Sequence, residues 1–329
     1  MTLASLNALA EAGDLPAWSS WRDGRPQGWF TLPMTQEAAN FYHENGFLVI
    51  EEGCTQEEIT ELQQEALAIC RGDRGEVGGI ESSSAAESDD EVMRKTLCIH
   101  FPDKCSPLIR QNLGHASITE VLTQVVSPNI KCMQSMLFIK ASGKPGQAWH
   151  QDEVYIPTRD RSLTGSWIAM DDATVENGCL WVIPGSQKRG ILWEMFLHDD
   201  RRFDCSAESR GWPWSNDQAV PVEVKKGSIV FFNGYLLHRS LPNTAQTGFR
   251  RSLVNHYCSA ETLLPWFSDQ LHQGPFATAD YRDIVLVAGE DPYAYKGTVD
   301  FARPHVRASG EGGCGHQEKN LGSEEDHDH

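Results

Sequence analysis

No hydrophobic run in this sequence approaches the roughly 20 apolar residues that a helix needs to cross a bilayer. The first residues also lack the basic stretch that opens a secretory signal peptide. Internal repeats, which mark solenoids and propellers, are absent as well. These absences argue against a membrane-spanning helix and a repeat architecture, and they predict a cytoplasmic protein without a membrane partner.

Paired cysteines are also missing. The nine cysteines are scattered, odd in number and never spaced as Cys-x-x-Cys. That pattern argues against a disulfide framework and against a zinc ribbon. The thiols are therefore predicted to be reduced and mostly buried.

Positive charge is scarce, with 28 lysines and arginines against 46 acidic residues and a formal net charge of −18. A surface of this sign repels nucleic acids and anionic lipids. We therefore expect no nucleic-acid partner, while the sequence leaves the oligomeric state open.

Composition divides the 329 residues into three parts. Residues 1–35 are predicted to form an irregular N-terminal extension, and residues 36–307 a single domain with a substantial core. The Gly-rich, acidic segment 308–329 buries too little apolar surface to fold and is predicted to be a disordered tail. Within the domain, the tryptophan-bearing segment near 196–220 is predicted to be an insertion that covers the substrate like a lid.

Amphipathic helices are predicted before residue 130. Thr55 and Glu58 form a capping box ahead of apolar residues that recur at helical spacing as far as Ile69. Later residues turn to a different pattern of short apolar, β-branched and aromatic runs separated by Asn-Gly, Pro-Gly and Gly-Ser. Such runs are typical of an all-β sandwich or barrel, and they occupy residues 132–140, 165–170, 176–186, 227–234 and 249–257.

The tripeptide His150-Gln-Asp152 lies among these strands, and His238 follows a later one. Side chains at i and i+2 of an extended segment point to the same side, so His150 and Asp152 can bind one ion while Gln151 points away. Two imidazoles and a carboxylate occupy one face of six-coordinate iron(II) and leave the other face open, although the same set suits zinc. The alternative is an incidental surface histidine, with His238 a core histidine bonded to the backbone.

Four motifs in this order and spacing resemble the phytanoyl-CoA dioxygenase family over roughly residues 36–265. They are Trp149-His-Gln-Asp152, Asn177-Gly-Cys-Leu-Trp-Val-Ile-Pro-Gly-Ser186, Gly227-Ser-Ile-Val-Phe-Phe-Asn-Gly234 with His238-Arg-Ser240, and Arg250-x-Ser252. The resemblance implies a mainly β fold with flanking helices, built on a cupin-like jelly-roll barrel called the double-stranded β-helix.

The resemblance also implies an enzyme that uses iron(II), 2-oxoglutarate and dioxygen, with His150, Asp152 and His238 as iron ligands. Decarboxylation of 2-oxoglutarate to succinate and CO2 would accompany hydroxylation of an unactivated carbon in a small metabolite. Related halogenases replace the carboxylate with a small residue, so Asp152 favours hydroxylation or another oxygenase outcome over halogenation.

A dicarboxylate cosubstrate needs a fixed cation, and the planar fork of arginine suits a carboxylate. Arg250 and Ser252 share one face of a predicted strand. The adjacent Arg251 makes the register ambiguous, and the family pattern favours Arg250. An alternative leaves both arginines exposed.

Further contacts follow from the resemblance or from strand alternation. Gln134 and Lys140 are expected to approach the cosubstrate or substrate, and Trp167 to form an aromatic wall beside 2-oxoglutarate. Phe138 and Tyr155 are expected to contact the substrate. A purely structural role is the alternative for each of these residues.

Two other functions fit parts of the pattern. A catalytically silent jelly-roll that binds a ligand would not need the metal ligands and Arg250 together. In a zinc-dependent, cupin-like enzyme, Arg250 would have no function, because no 2-oxoglutarate is bound. The chain ends Asp328-His329 rather than with the peroxisomal Ser-Lys-Leu, which puts phytanoyl-CoA itself in doubt as the substrate.

Overall fold

The computed structural model describes residues 21–22, 25–158, 160–262, 284–298, 300 and 302–307. The tail predicted for residues 308–329 lies outside these ranges, and so do residues 1–20 of the predicted N-terminal extension. The α-helices within the described ranges are α1 (Gln36–Asn45), α2 (Gln56–Arg71), α3 (Asp89–Arg94), α4 (Pro107–Asn112) and α5 (Ala116–Val125).

The strands in the same ranges outnumber the helices. They are β1 (Trp21–Arg22), β2 (Arg25–Pro26), β3 (Trp29–Phe30), β4 (Phe47–Ile50), β5 (Cys98–His100), β6 (Ile130–Ala141), β7 (Gln147–His150), β8 (Thr164–Ala169), β9 (Leu180–Val182), β10 (Met195–Leu197), β11 (Ala207–Ser209), β12 (Val220–Val222), β13 (Ile229–Asn233), β14 (His238–Ser240), β15 (Phe249–Ser259), β16 (Val285–Ala288) and β17 (His305–Val306).

Two sheets form the body of the fold. The larger sheet has the order β17-β5-β6-β15-β8-β13-β4-β3, with β16 beside β6, and the smaller has the order β12-β9-β14-β7. Neighbouring strands in both sheets are antiparallel apart from the β3–β4 pair, as far as the structure describes them. Their inner faces share one hydrophobic core, which gives the jelly-roll arrangement that the sequence predicts.

Both faces of the larger sheet are covered. Val230 and Phe232 of β13 pack in the core between the sheets, whereas Ile229 and Phe231 pack against the helices. Antiparallel sheets often leave one face in water, and their strands then alternate apolar and polar residues. Here each fully buried side chain stabilises the fold by about 1.5–3 kcal/mol, and the strand reads as an unbroken apolar run.

Helix α2 begins and ends as its sequence predicts. The Thr55 hydroxyl accepts from the backbone N–H of Glu58 at 3.2 Å, and the Glu58 carboxylate accepts from the N–H of Thr55 at 2.7 Å. The helix ends at Gly72, whose φ of 83° is left-handed and favours glycine. Its buried side, which includes Ile59 and Ile69, packs in the hydrophobic core between the helices and the larger sheet.

Residues near the N-terminus join the larger sheet rather than staying irregular. Trp29 and Phe30 form a parallel edge strand beside Val49 and Ile50. The ring of Trp29 contacts that of Phe47 edge-on at 6.4 Å between centroids. A strand of two residues is too short to show a period of two in the sequence.

The insertion at 196–220 packs mainly on the smaller sheet. Trp212 contacts Trp149 at 5.8 Å between ring centroids, and the indole nitrogen of Trp149 donates to Asn216 at 3.0 Å. By contrast, Asp204 and Cys205 run beside β7, where the Asp204 N–H donates to the carbonyl oxygen of Gly146 at 2.8 Å. The tryptophans therefore cover the sheet, and a short stretch of the insertion reaches the cavity described below.

No helix in the described ranges is both long enough and apolar enough to cross a membrane. The cytoplasmic location stays a prediction.

Candidate active site

Three side chains that can bind a metal meet where β7 and β14 lie side by side. His150 ends β7, Asp152 begins the following turn, and His238 begins β14. The two histidines are paired directly across the strands, with ring centroids 4.1 Å apart. Oδ1 of Asp152 lies 3.6 Å from Nε2 of each histidine. The predicted triad is therefore one buried cluster.

The backbone decides which nitrogen of each histidine faces the aspartate. Nδ1 of His150 lies 2.8 Å from the carbonyl oxygen of Ala148, and Nδ1 of His238 lies 3.0 Å from that of Leu236. A carbonyl only accepts, so each Nδ1 carries the hydrogen. Each Nε2 then keeps the lone pair through which imidazole binds a metal.

Burial and charge set the protonation of the cluster. Burial, helped by the neighbouring His238, lowers the pKa of His150 to about 4. Burial alone would raise the pKa of Asp152, but His238 and His256 outweigh it and hold that pKa below its ordinary range. At neutral pH the cluster contains a neutral His150 and an ionised Asp152.

A further histidine holds the other oxygen of the aspartate. Nε2 of His256, on β15, lies 3.2 Å from Oδ2 of Asp152, and His256 is 4% exposed. This contact leaves Oδ1 of Asp152 facing the two paired histidines. Strand alternation places His256 on the inward face, but the sequence gives it no role.

The donor set fits a divalent transition metal with open coordination positions. Two imidazole nitrogens and one carboxylate oxygen lie within 4.8 Å of one another. This combination is typical of non-haem iron(II) oxygenases and is also compatible with zinc.

A cavity lies beside the metal-ligand cluster, and His150, Asp152 and His238 form part of its wall. Arg250 reaches this cavity. It is 3% exposed and lines the cavity. Its Nη1 donates to Ser252 Oγ at 2.9 Å, and its guanidinium lies 5.3 Å from the ring centroid of Trp167. Burial lowers the pKa of Arg250 to about 10. Arg251 points elsewhere and forms an ion pair with Asp171 at 2.7 Å, so the register is the one that the family pattern favours.

Arg250 has no carboxylate partner within 4.0 Å among the described residues, and its Nε has no hydrogen-bond partner there. A buried charge is costly without a counter-ion. The arrangement fits an anionic ligand such as one carboxylate of a dicarboxylic acid.

The other predicted contact residues divide into two groups. Phe138, Tyr155 and Trp167 line the cavity, and the Tyr155 ring lies 6.2 Å from that of His150. Gln134 and Lys140 are buried but do not line it.

Lys140 binds the protein rather than the cavity. Its Nζ donates to Ser240 Oγ at 2.9 Å and to the carbonyl oxygen of Leu241 at 2.8 Å. Burial first, and the charge of Arg250 second, hold the pKa of Lys140 well below its usual range. The amine thus braces the end of β14, two residues beyond His238.

Arg307 is a charged cavity residue to which the sequence assigns no role. Arg307 lines the cavity, is 6% exposed and forms an ion pair with the buried Asp204. It follows a two-residue strand next to the acidic tail, and no motif marks it. Its partner lies 103 positions away in the chain, a separation that periodicity does not detect.

A second group of potential metal ligands lies outside the cavity. Cys54, Glu58 and His115 come within 4.8 Å of one another. The Ser117 N–H donates to Nδ1 of His115, so Nε2 carries the hydrogen and donates to Glu58 at 3.1 Å. Burial raises the pKa of the Cys54 thiol to about 12. A protonated thiol and an occupied Nε2 make this group part of the helix-end packing.

The sequence model of phytanoyl-CoA dioxygenase (PhyH) matches residues 42–252. The chain belongs to the phytanoyl-CoA dioxygenase family. It is 28% identical to Phytanoyl-CoA dioxygenase 1 of Oryza sativa subsp. japonica over 259 residues, which cover 69% of this chain and 90% of the rice protein. Identity to the peroxisomal phytanoyl-CoA dioxygenase of Homo sapiens is 30% over 251 residues, 69% of each chain.

The fold of this chain is similar to that of solved structures. EvdO2 from Micromonospora carbonacea var. aurantiaca, complexed with 2-oxoglutarate, has a TM-score of 0.53 and 20% identity. The comparison covers 74% of this chain and 96% of EvdO2. The comparisons confirm the predicted family and fold class. As a member of the phytanoyl-CoA dioxygenase family, the chain is a non-haem iron(II) oxygenase that uses 2-oxoglutarate and dioxygen.

Proposed function

We propose that this dioxygenase hydroxylates an unactivated carbon of a small-molecule metabolite. His150, Asp152 and His238 hold the iron, and Arg250 with Ser252 holds 2-oxoglutarate. The observation that carries the proposal is Arg250, a buried cation without a carboxylate partner among the described residues, in the wall of the cavity that contains the triad. A carboxylate accepts two parallel hydrogen bonds from such a guanidinium.

The protein residues prepare this chemistry by orientation. The carbonyl oxygens of Ala148 and Leu236 fix the two histidine rings, and His256 fixes the carboxylate of Asp152. The Trp167 ring restricts the guanidinium of Arg250 on one side. When bound, iron and 2-oxoglutarate supply the oxidising chemistry with dioxygen, and succinate and CO2 are the co-products.

Apolar side chains around the cluster keep water from the reacting carbon. Met136, Phe138, Phe232 and Val254 belong to the core between the sheets and also line the cavity. A low-dielectric wall strengthens the charge interactions of Arg250 and Asp152. It also favours a substrate whose reacting part is a hydrocarbon.

Asp152 supports hydroxylation over halogenation, because its carboxylate occupies the position that a halide would need. A zinc-dependent enzyme leaves Arg250 without a function. A silent binding protein leaves the paired Nε2 atoms of His150 and His238 without one. Neither alternative accounts for both features.

The test is an anaerobic titration of the metal-free protein with iron(II) and then 2-oxoglutarate. The visible charge-transfer band of the iron–2-oxoglutarate chelate is the expected result. Candidate metabolites are then screened in air for succinate release, and products are weighed by mass spectrometry for the gain of one oxygen atom. Iron binding without the band would contradict the cosubstrate assignment, and products without new oxygen would contradict hydroxylation.

A further inference from the structure

Arg307 reaches the cavity from outside the family match, which ends at residue 252. Its N–H donates to the carbonyl oxygen of Cys98 at 2.9 Å, which extends the β17–β5 pairing by one residue. Its guanidinium lies 5.5 Å from the ring centroid of Phe138. The edge strand β17 therefore fixes the position of Arg307 on the inner face of the larger sheet.

Arg307 and Arg250 enter the cavity at different places. Cys98 pairs with Phe138, and Phe138 pairs with Ser252. Three strand spacings thus separate the backbones of Arg307 and Ser252, about 14 Å in total. Arg250 lies beside Ser252, so the two arginines enter the cavity from different strands of the larger sheet.

The charged residues of the cavity wall leave Arg307 without a part in the site described above. The cavity lining includes the buried arginines Arg250 and Arg307 and one carboxylate, Asp152. Arg239 also borders it, but its guanidinium lies 4.6 Å from the ring centroid of Trp149, on the other side of the smaller sheet. Iron binding uses Asp152, and 2-oxoglutarate pairs with Arg250. Arg307 is then the buried cavity arginine that neither the metal ligands nor the proposed 2-oxoglutarate contact uses.

The ion pair with Asp204 uses only part of the Arg307 fork. Asp204 accepts from Nη2, and Nη1 is buried with no hydrogen-bond partner among the described residues. Asp204 is itself 6% exposed, and its backbone N–H donates to the carbonyl oxygen of Gly146. A planar guanidinium held by one carboxylate on one side still offers parallel donors to a second oxyanion.

We propose that Arg307 binds a carboxylate group of the primary substrate. The substrate class is then an organic acid with a hydrocarbon part that lies against the apolar wall near the metal cluster. This inference rests on the proposed function. Asp204 orients the guanidinium, and Arg307 selects acids over their neutral analogues.

The experiment compares acids with their primary amides. Hexanoate, phenylacetate and N-acetylleucine, and the amide of each, are added anaerobically to the iron–2-oxoglutarate complex. We expect the acids, and not the amides, to shift the chelate band without bleaching it. Equal shifts from acids and amides would overturn the inference, as would bleaching, which shows displacement of 2-oxoglutarate, or the absence of any shift.

Variants separate recognition from stability. Arg307→Met alone leaves Asp204 buried and unpaired and is at risk of misfolding, so the double variant Arg307→Met/Asp204→Asn is measured with it. Acid affinity should fall at least tenfold in the double variant. The control is Arg303→Met, because Arg303 lies on the same segment with its side chain 74% exposed. Unchanged acid affinity in a folded double variant would overturn the inference.

The chelate band distinguishes this failure from failure of the proposed function. A band that forms in the parent protein and in the double variant shows that iron and cosubstrate bind without Arg307. Loss of acid discrimination then bears on Arg307 alone. A parent protein that binds iron without forming the band contradicts the proposed function instead.

Discussion

Arg251→Met should destabilise the metal-free protein, whereas Arg250→Met should not. Burial lowers the pKa of Arg250 from 12.5 to about 10, which corresponds to a cost of about 3 kcal/mol for keeping the charge inside. The cost applies below pH 10, where folded and unfolded chains are both charged. Methionine removes it and keeps most of the apolar contact with Trp167.

The loss of the Ser252 hydrogen bond and of the cation–π interaction with Trp167 offsets part of this gain. We therefore expect the Tm of Arg250→Met to stay level or to rise by a few degrees. Arg251→Met has no such gain. It breaks an ion pair with Asp171 whose side chains are 14% and 19% exposed. The expected loss is about 1–3 kcal/mol, or about 2–6 °C for a chain of this size.

Cosubstrate binding should separate the two variants further. Loss of the charge-assisted hydrogen bonds from Arg250 should weaken 2-oxoglutarate binding about 100-fold, which is about 2.7 kcal/mol. A ligand at about 100 times its Kd stabilises a protein by about 2.7 kcal/mol. The same concentration gives only about 0.4 kcal/mol after a 100-fold loss of affinity.

The assay is anaerobic thermal unfolding with iron(II), with and without 2-oxoglutarate. The cosubstrate should raise the Tm of the parent protein and of Arg251→Met, and should barely change that of Arg250→Met. A destabilised Arg250→Met that still responds to 2-oxoglutarate would refute the reasoning. The reverse ranking of the two variants would show that the strand presents its other face to the cavity.

The remaining predictions concern the metal ligands and the helices. Asp152→Ala should lose iron binding in anaerobic calorimetry while its circular dichroism stays that of the parent, and retained affinity would remove Asp152 from the metal site. His256→Leu should weaken iron binding about 10–100-fold because Asp152 loses the partner of its second oxygen. His256→Gln keeps a hydrogen-bond donor and should recover part of that affinity. Equal losses in the two variants would contradict the positioning role of His256. Thr55→Ala should cost about 1 kcal/mol in urea unfolding through loss of the helix cap and leave the 2-oxoglutarate response intact, so a changed response would link α2 to the site.

Much of the fold was predictable from short-range patterns. The period of two in extended segments indicates that His150 and Asp152 share a side and that Arg250 faces the same way as Ser252. The capping box at Thr55 indicates where α2 begins. These signals are local, since each depends on a few neighbouring residues and on one backbone geometry.

Contacts between distant segments were not predictable in the same way. Strand alternation correctly places Lys140 on the inner face, but a long side chain has many endpoints, and this one turns to Ser240 and Leu241 instead of the cavity. Arg307 and Asp204 meet only because β17 and the insertion converge on one wall. Periodicity along the sequence does not predict a contact between two such distant residues.

The two histidine rings are anchored by carbonyl oxygens two residues earlier in the chain, at Ala148 and Leu236. Folding therefore restricts both imidazoles before any metal arrives, and metal binding loses little rotamer entropy at these positions. The anchors are main-chain atoms, so substitution of the Ala148 or Leu236 side chain does not remove them. A metal that binds the two Nε2 atoms therefore meets imidazoles that the main chain already orients.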